Sequence, residues 1–511
     1  MIQTNIKNKF LVQAARLGGL ALVSSALGFC REILIARYFG ATHITDSYLV
    51  AVSVPMLAYA LFFGSGLNVS LVPRLTAAFS VSPSAGQRVF AQFLGAAAFA
   101  SLLVSCLILF FPSVFAHAVA PGIANSAITT GFVRSLSPLL FLFVLSYAFG
   151  SFHCARQKAS HWGLVTVVQN ATLVVGLLLL ARMWGYQVLI WGTIIGAFVA
   201  LVVQAYIARQ DGFRESWLNA FHIGEGQQML LGMVPFALAF GIGGDYGTGQ
   251  ADIFLIRFFA SRLEAGSITL LALGNKIMAL PVHLIGASMG VALLSPLSKS
   301  VAAQDYREAG QVFGRALSYG LLLACPLAVL YFDLGSPLAH VIFRKTLLAG
   351  GQVEELGRVL RGYSGAVLGL VVAYIANAYL AAFRRKRALI GAGIVTVAVD
   401  ALLMWLLRGW YQSTGIAMAV SIGSICYSFI LIVLLRQALD RTVRRELLKQ
   451  CGLVLAGGVA MHVVLEAALW LNVFADVPWL GKAVLPALAG FVPYVGWLGF
   501  HRSRLAFEFA R

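Results

Sequence analysis

Arg31, Glu32 and Arg37 are the first residues of the chain that could do chemistry, because they stand in an apolar stretch, Gly28 to Asp46, reading GFCREILIARYFGATHITD. An arginine at the centre of a membrane helix costs about 2.5–3.5 kcal/mol on insertion scales, so it is kept where it faces a bundle interior or a water-filled cavity. Asp46, Arg134, Asp245, Asp252, Arg257, Lys276, Asp333, Asp400 and Glu466 also lie within or at the edge of apolar runs. The first two runs of each half hold most of this set, which suits a binding cavity for an anion. The plain alternative is that each arginine pairs with a nearby acid or snorkels to a headgroup. Asp252 and Arg257 are five positions apart, a poor fit to the i,i+4 geometry of a helical ion pair. His283 has no obvious acidic neighbour and reads as a hydrogen-bonded packing residue. No GxSxG, HExxH, P-loop or paired-carboxylate motif occurs. The six cysteines show no CxxC or Cys/His spacing and read as small buried hydrophobes. The residues therefore point to a binding site, with neither an enzymatic centre nor a cofactor.

The elements that must position these residues are membrane helices. The 511 residues are 60% hydrophobic and 11% charged, with mean hydropathy +0.87, whereas a soluble protein carries about 25% charged residues. An all-α polytopic membrane protein is predicted. The net charge of +18 would suit nucleic acid, but the basic residues sit in short connections between apolar runs, as the positive-inside rule requires. No nucleic-acid partner is expected; the partner is the membrane. The start, MIQTNIKNKF, leads into a run too long for a signal-peptide core. From Phe10 to Phe39 a straight helix would extend roughly 45 Å, beyond a hydrocarbon core of about 30 Å, and Gly28 is the natural bend point.

About fourteen spans are predicted, near 10–38, 46–72, 89–112, 132–152, 162–182, 187–208, 229–258, 267–294, 313–333, 363–383, 388–407, 414–435, 451–471 and 481–500. Even-numbered connections carry the basic residues, including Arg156, Lys158, Arg209, Arg214 and the run Arg384-Arg385-Lys386-Arg387. About 24 of the 37 Lys and Arg then lie inside, which places both termini in the cytoplasm. In the span at 229–258, GIGGDYGTGQAD crowds five glycines around two aspartates. Dense glycine weakens a helix, and irregular backbone at membrane depth survives where it lines a cavity or is covered by protein. Gly241, Gly243, Gly244 and Gly247 therefore read as a hinge, with close helix packing as the alternative.

The chain also repeats itself at an offset of about 220–230 residues. Ile35-Ala36-Arg37-Tyr38-Phe39 resembles Leu255-Ile256-Arg257-Phe258-Phe259, and Val165-Thr166-Val167-Val168 resembles Val395-Thr396-Val397-Ala398. Six spans separate equivalent points, so the halves share one orientation and relate by an axis along the membrane normal, as in many transporters. The expected organisation is a six-helix lobe over 1–220, a second over 221–445, and an extra helix pair over 446–511. The two lobes would form a V-shaped central cavity with the substrate site between them.

These motifs resemble the MviN/MurJ family, lipid II flippases of the larger MOP exporter superfamily. The resemblance rests on Gly28-Phe29-Cys30-Arg31-Glu32, Ala36-Arg37-Tyr38-Phe39-Gly40-Ala41, Thr45-Asp46-Ser47-Tyr48, Pro55 and Val72-Pro73. Phe259-Ala260-Ser261, Gly266-Ser267-Ile268 and Leu294-Ser295-Pro296-Leu297-Ser298-Lys299-Ser300 fit it in the second half, as do Arg134 with Ser137-Pro138, and Asn170. It implies transport, by alternating access across a bacterial inner membrane, of a polyprenyl-diphosphate-linked glycan for peptidoglycan synthesis, with lipid II the leading substrate. Another undecaprenyl-diphosphate-linked oligosaccharide, for exopolysaccharide or O-antigen export, is the alternative within the same machinery. A membrane glycan polymerase or acyltransferase would want a long outer loop or a partnered catalytic histidine. A non-transporting scaffold would tolerate neutralised cavity charges.

By the same resemblance Arg31, Asp46 and Lys276 belong to the cavity that receives the diphosphate and sugar, with Arg37, Arg134, Asn170 and the additional Arg257 as further candidates. Lys276 stands where the family usually has arginine, which keeps the charge and loses bidentate contact. Ser25 stands at a usually arginine position, Ala58 and Tyr59 fill a usually basic region, and Gly64 replaces a usual acid. Arg257 is expected to supply part of the missing charge.

Overall fold

The computed structural model describes residues 2–64, 70–214, 228, 230, 232, 250–383, 386–435, 441–471 and 479–501. Every regular element among them is helical. Among the described residues, twelve helical stretches are long and apolar enough to cross a membrane. Two of the expected fourteen spans are not separate in that number. The expected spans at 388–407 and 414–435 are two helices within Lys386–Leu435 that meet at Gln412, where φ is 49°, and they count as one in that number. Residues 233–249 of the seventh expected span, which include Asp245 and the glycines Gly241, Gly243, Gly244 and Gly247, lie outside the described residues.

The chain divides into two compact units. The first comprises Met1–Ile242 together with Glu264–Gly266, and the second comprises Gly243–Leu263 and Ser267–Arg511. In the first unit the helices are α1 (Ile2–Phe39), α2 (His43–Phe62), α3 (Val72–Val81), α4 (Pro83–Phe110), α5 (Pro112–Val119), α6 (Ala127–Ser135), α7 (Leu139–Ala155), α8 (Ala159–Trp184) and α9 (Gln187–Gln210). Helix α1 is continuous through Gly28. Helix α2 ends at Phe62, and residues 65–69, in the last part of the second expected span, lie outside the described residues. Helix α8 packs against both α1 and α9, and α7 packs against α4. Phe90, Phe149, Phe152 and Phe213 form an aromatic cluster where α4 and α7 meet the chain beyond α9, with centroids 4.8–6.3 Å apart.

The second unit contains α10 (Gln250–Ala260), α11 (Ser267–Val282), a π-helical turn (His283–Ala287), α12 (Ser288–Ala302), α13 (Tyr306–Asp333), α14 (Gly335–Phe343), α15 (Gly350–Ala382), α16 (Lys386–Leu435), α17 (Arg441–Trp470) and α18 (Trp479–Phe500). Its centre is α15, against which α11, α13, α14 and α16 all pack. Glycines make this possible. A Cβ on Gly369 would lie 2.5 Å from Ser424 Oγ, and one on Gly362 would lie 2.8 Å from Ala417 Cβ. Small residues at such spacing let membrane helices approach closely. The α16 serines use that proximity: Ser421 Oγ donates to the Gly362 carbonyl (2.6 Å) and accepts from Ala366 N–H (2.9 Å), inserting itself into one rung of α15.

Proline positions show how backbone groups at membrane depth are satisfied. A proline inside a helix has no N–H for the carbonyl four residues back, and an unpaired group in hydrocarbon is costly. Pro281 leaves the Ile277 carbonyl unserved by its helix, and Tyr331 Oη donates to it at 3.0 Å. Pro326 does the same to Leu322, and Tyr494 Oη donates there at 2.8 Å. The π-helical turn follows directly after Pro281. The terminal helix α18 is thereby hydrogen-bonded to α13 of the same unit.

Candidate functional site

Arg31 sits on α1 with two of its nitrogens committed. Nη2 donates to Glu32 Oε1 at 2.5 Å and Nη1 to Asn170 Oδ1 at 3.0 Å. Asn170, on α8, completes the arrangement by donating Nδ2 to the Ser24 carbonyl and hydroxyl at 3.2 and 3.3 Å. The Arg31 Nε is buried without a hydrogen-bond partner. Glu32 is 7% exposed at its side chain and Arg31 27%, so the guanidinium is fixed by an acid from its own helix and an amide from a neighbour, yet remains partly accessible. Arg31 does pair with the adjacent acid, and about a quarter of its side chain is exposed. Asn170 and Arg31 are 139 positions apart and are brought into contact by the packing of α8 on α1.

Asp46, in the first turn of α2, is almost wholly buried. Its Oδ2 accepts the main-chain N–H of Gly266 at 2.6 Å. Gly266 has φ +97°, and a Cβ there would lie 2.5 Å from the Ala41 carbonyl oxygen. Only glycine fits a left-handed backbone pressed against another main chain. The structure thus gives Asp46 a main-chain partner and explains physically why Asp46 and Gly266 both belong to the motifs. The capping Thr42 hydroxyl and the Thr45 side chain close the start of α2 reciprocally.

The remaining sequence candidates are spread more widely. Arg37 is exposed in the last turn of α1 and makes no ion pair among the described residues, and Arg134 is exposed near the end of α6. In the second unit, Arg257 is half-buried in the last turn of α10, one helix that also carries the buried Asp252. Asp252 acts electrostatically on Tyr363, a fully buried residue of α15. Lys276 is exposed on α11. His283, exposed at the start of the π-helical turn, packs its ring edge-on to Tyr374 with centroids 6.2 Å apart. Arg31 and Asn170 are therefore in direct contact; Arg37 and Arg134 belong to the first unit, and Arg257 and Lys276 to the second.

Two features escaped the sequence reading. Ser24 belongs to the Arg31 arrangement through Asn170, and nothing distinguishes it locally from its neighbour Ser25. Tyr59, noted only as a departure from a basic region, packs at a tilt against Tyr147 with centroids 4.9 Å apart, and Tyr147 meets Trp162 edge-on at 6.5 Å. Aromatic packing occupies that part of the first unit, and Ala58 beside it is buried.

A lipid II flippase MurJ of Burkholderia cenocepacia is 23% identical over 432 residues, covering 82% of each chain. A protein of Buchnera aphidicola subsp. Acyrthosiphon pisum named "Probable lipid II flippase MurJ" is 24% identical over 416 residues, covering 79% of this chain and 80% of that one. A solved structure of lipid II flippase MurJ in an inward closed conformation matches with a TM-score of 0.80 at 17% identity, covering 95% of this chain and 99% of that chain, and shows the same all-α polytopic fold. The family model described as lipid II flippase MurJ matches residues 35–489, and the chain belongs to that family.

Proposed function

We propose that this protein is a flippase that carries lipid II, a polyprenyl-diphosphate-linked peptidoglycan precursor, from the cytoplasmic to the outer leaflet of a bacterial inner membrane by alternating access. The observation that carries the reading is the family match over residues 35–489, which includes Arg37, Asp46, Lys276 and Arg257. The relatives reported above bear the lipid II name, which favours this substrate over another undecaprenyl-diphosphate-linked oligosaccharide. Membership of a transporter family also favours movement of an intact substrate over catalysis. Both termini are cytoplasmic in this reading, on the strength of the basic connections.

The diphosphate needs cations in a low-dielectric setting, where charge-assisted hydrogen bonds are strongest. Arg31 is the leading contact in the first unit. Asn170 and Glu32 hold its guanidinium in place. Arg37 and Arg134 offer further positive charge there, and Arg257 and Lys276 offer it in the second unit. Asp46 contributes by holding the Gly266 turn. The lobes over 1–220 and 221–445, with the pair over 446–511 appended, are the working division for this mechanism.

The test is rescue of cells depleted of their own lipid II flippase. The parent chain should restore growth and Arg31→Gln should not, at equal membrane levels. A well-expressed parent that fails to rescue lipid II export, yet restores export of a different lipid-linked oligosaccharide, would overturn the assignment.

A further inference from the structure

His153, at the end of α7, His161, in the first turns of α8, and Asp211, directly after α9, bring their ligand atoms within 4.8 Å of one another. Nine positions of α8 separate His161 from Asn170, about 13 Å of helical rise, so this cluster is distinct from the Arg31 arrangement. The chain reverses between α7 and α8 through Gln157, whose φ is 59°. That turn sets the two imidazoles edge-to-face with centroids 5.3 Å apart. Asp211 is pinned beside them. Lys158 Nζ donates to its Oδ1, and Arg156 Nη1 donates to its main-chain carbonyl.

The polar atoms left over are the informative ones. His153 is fully buried, and neither of its ring nitrogens has a hydrogen-bond partner; the same is true of His161 Nδ1 and Asp211 Oδ2. Buried polar groups are ordinarily paired, and a ring can offer one ion only one of its nitrogens, so three atoms, one from each side chain, converge on one point and call for a common partner. Asp211 Oδ2 lies 3.3 Å from His153 Nδ1 and 3.7 Å from His161 Nδ1. Those separations are long for hydrogen bonds. They resemble the spacing of two ligands around one tetrahedral ion, about 3.3 Å when each bond is about 2.0–2.1 Å.

We propose that His153, His161 and Asp211 bind one divalent first-row cation of the zinc type, which fastens the ends of α7, α8 and α9 to one another. Two imidazoles and one carboxylate are a set that such ions accept, with a fourth position left for water. Asp211 would ligate through Oδ2 while Lys158 stays on Oδ1. The Gln204 main chain lies beside the His153 ring, where an outer-shell partner fixes the orientation of a metal-bound histidine. His161, about one-third exposed, is the ligand that can turn inward to close the site. The alternative is a metal-free electrostatic clasp in which Lys158 alone neutralises Asp211.

The experiment titrates Co²⁺ into the full-length, tag-free protein in detergent and follows visible absorption, with Zn²⁺ added as competitor. The proposal expects one saturable equivalent, with the intense d–d bands of a low-coordinate site that Zn²⁺ abolishes. His161→Ala and Asp211→Asn should each weaken binding by about 100-fold or more, since even outer-shell partners are worth 10–100-fold. Lys158→Met should bind Co²⁺ at least as tightly as the parent, because it removes a competing cation and no ligand. Absence of saturable binding by the parent would overturn the proposal without recourse to any variant. Binding that survives His161→Ala and Asp211→Asn unchanged, or is lost in a well-folded Lys158→Met, would overturn it equally.

Discussion

Arg31 makes its ion pair with Glu32 and, in the proposed function, meets substrate with the same guanidinium, and those two roles can be separated by mutation. Arg31→Gln leaves the Glu32 carboxylate, 7% exposed, without the cation now 2.5 Å away, and removes the donor to Asn170 at 3.0 Å. Truncating one partner of a buried charged contact typically costs about 2–5 kcal/mol. Arg31 is itself about a quarter exposed, which screens the pair and places the expected stability loss near the lower end, about 2–3 kcal/mol. The double variant Arg31→Gln with Glu32→Gln removes the stranded charge and should recover all but about 1 kcal/mol of that, the ordinary worth of the remaining hydrogen bonds. Unfolding in detergent supplies the stability readout, and lipid II movement in proteoliposomes supplies the functional one. The expected pattern is a split: stability returns in the double variant while transport stays about 30-fold or more below the parent, since 2 kcal/mol of lost substrate contact is that factor. A double variant that regains transport along with stability would refute the substrate contact and leave Arg31 as the structural partner of Glu32 alone.

Other consequences follow from the same contacts. Gly266→Ala forces a Cβ to within 2.5 Å of the Ala41 carbonyl at φ +97°, and should cost about 1–3 kcal/mol in the same unfolding measurement. Asp46→Ala removes a charge-assisted bond to Gly266 N–H, with an expected loss of about 1.5–3 kcal/mol; Asp46→Asn, which keeps an acceptor, should lose less. Tyr494→Phe strands the Leu322 carbonyl that Pro326 leaves open, so stability should fall by about 0.6–1.7 kcal/mol, the range for hydrogen bonds inside membrane proteins, whereas Phe at the exposed Tyr206 should be silent. An anionic diphosphate moving outward is favoured by an inside-negative potential by about 2.3 kcal/mol per charge per 100 mV. Collapsing the potential at a constant pH gradient should therefore slow export, and unchanged export would show that the protein's own charges or a coupled cation cancel the movement.

The membrane character and most helices were legible because apolar runs and basic connections obey simple rules. Boundaries were legible in part. The break near Gln412 was visible in the polar residues Arg408, Gln412 and Ser413 between two apolar runs, whereas the last part of the second expected span includes residues outside those described. Arg31 was conspicuous because charge is expensive in hydrocarbon. Its partners were harder to find, since Asn170 lies 139 positions away and reaches Arg31 only through helix packing. The resemblance implied a cavity role for Asp46, but a sequence carries no sign that its carboxylate will meet the N–H of Gly266, 220 positions on. The His153, His161 and Asp211 cluster was silent for the same reason: its residues come from three helix ends and follow no local spacing.

The most direct test of the central claim is movement of labelled lipid II in vesicles containing only the purified protein. Lipid II reconstituted in both leaflets should become almost wholly accessible to an impermeant outer-surface reagent, and Arg31→Gln with Glu32→Gln should leave the inner-leaflet pool protected. A parent protein whose vesicles protect lipid II as empty vesicles do, while exposing a different diphosphate-linked oligosaccharide, would contradict the account.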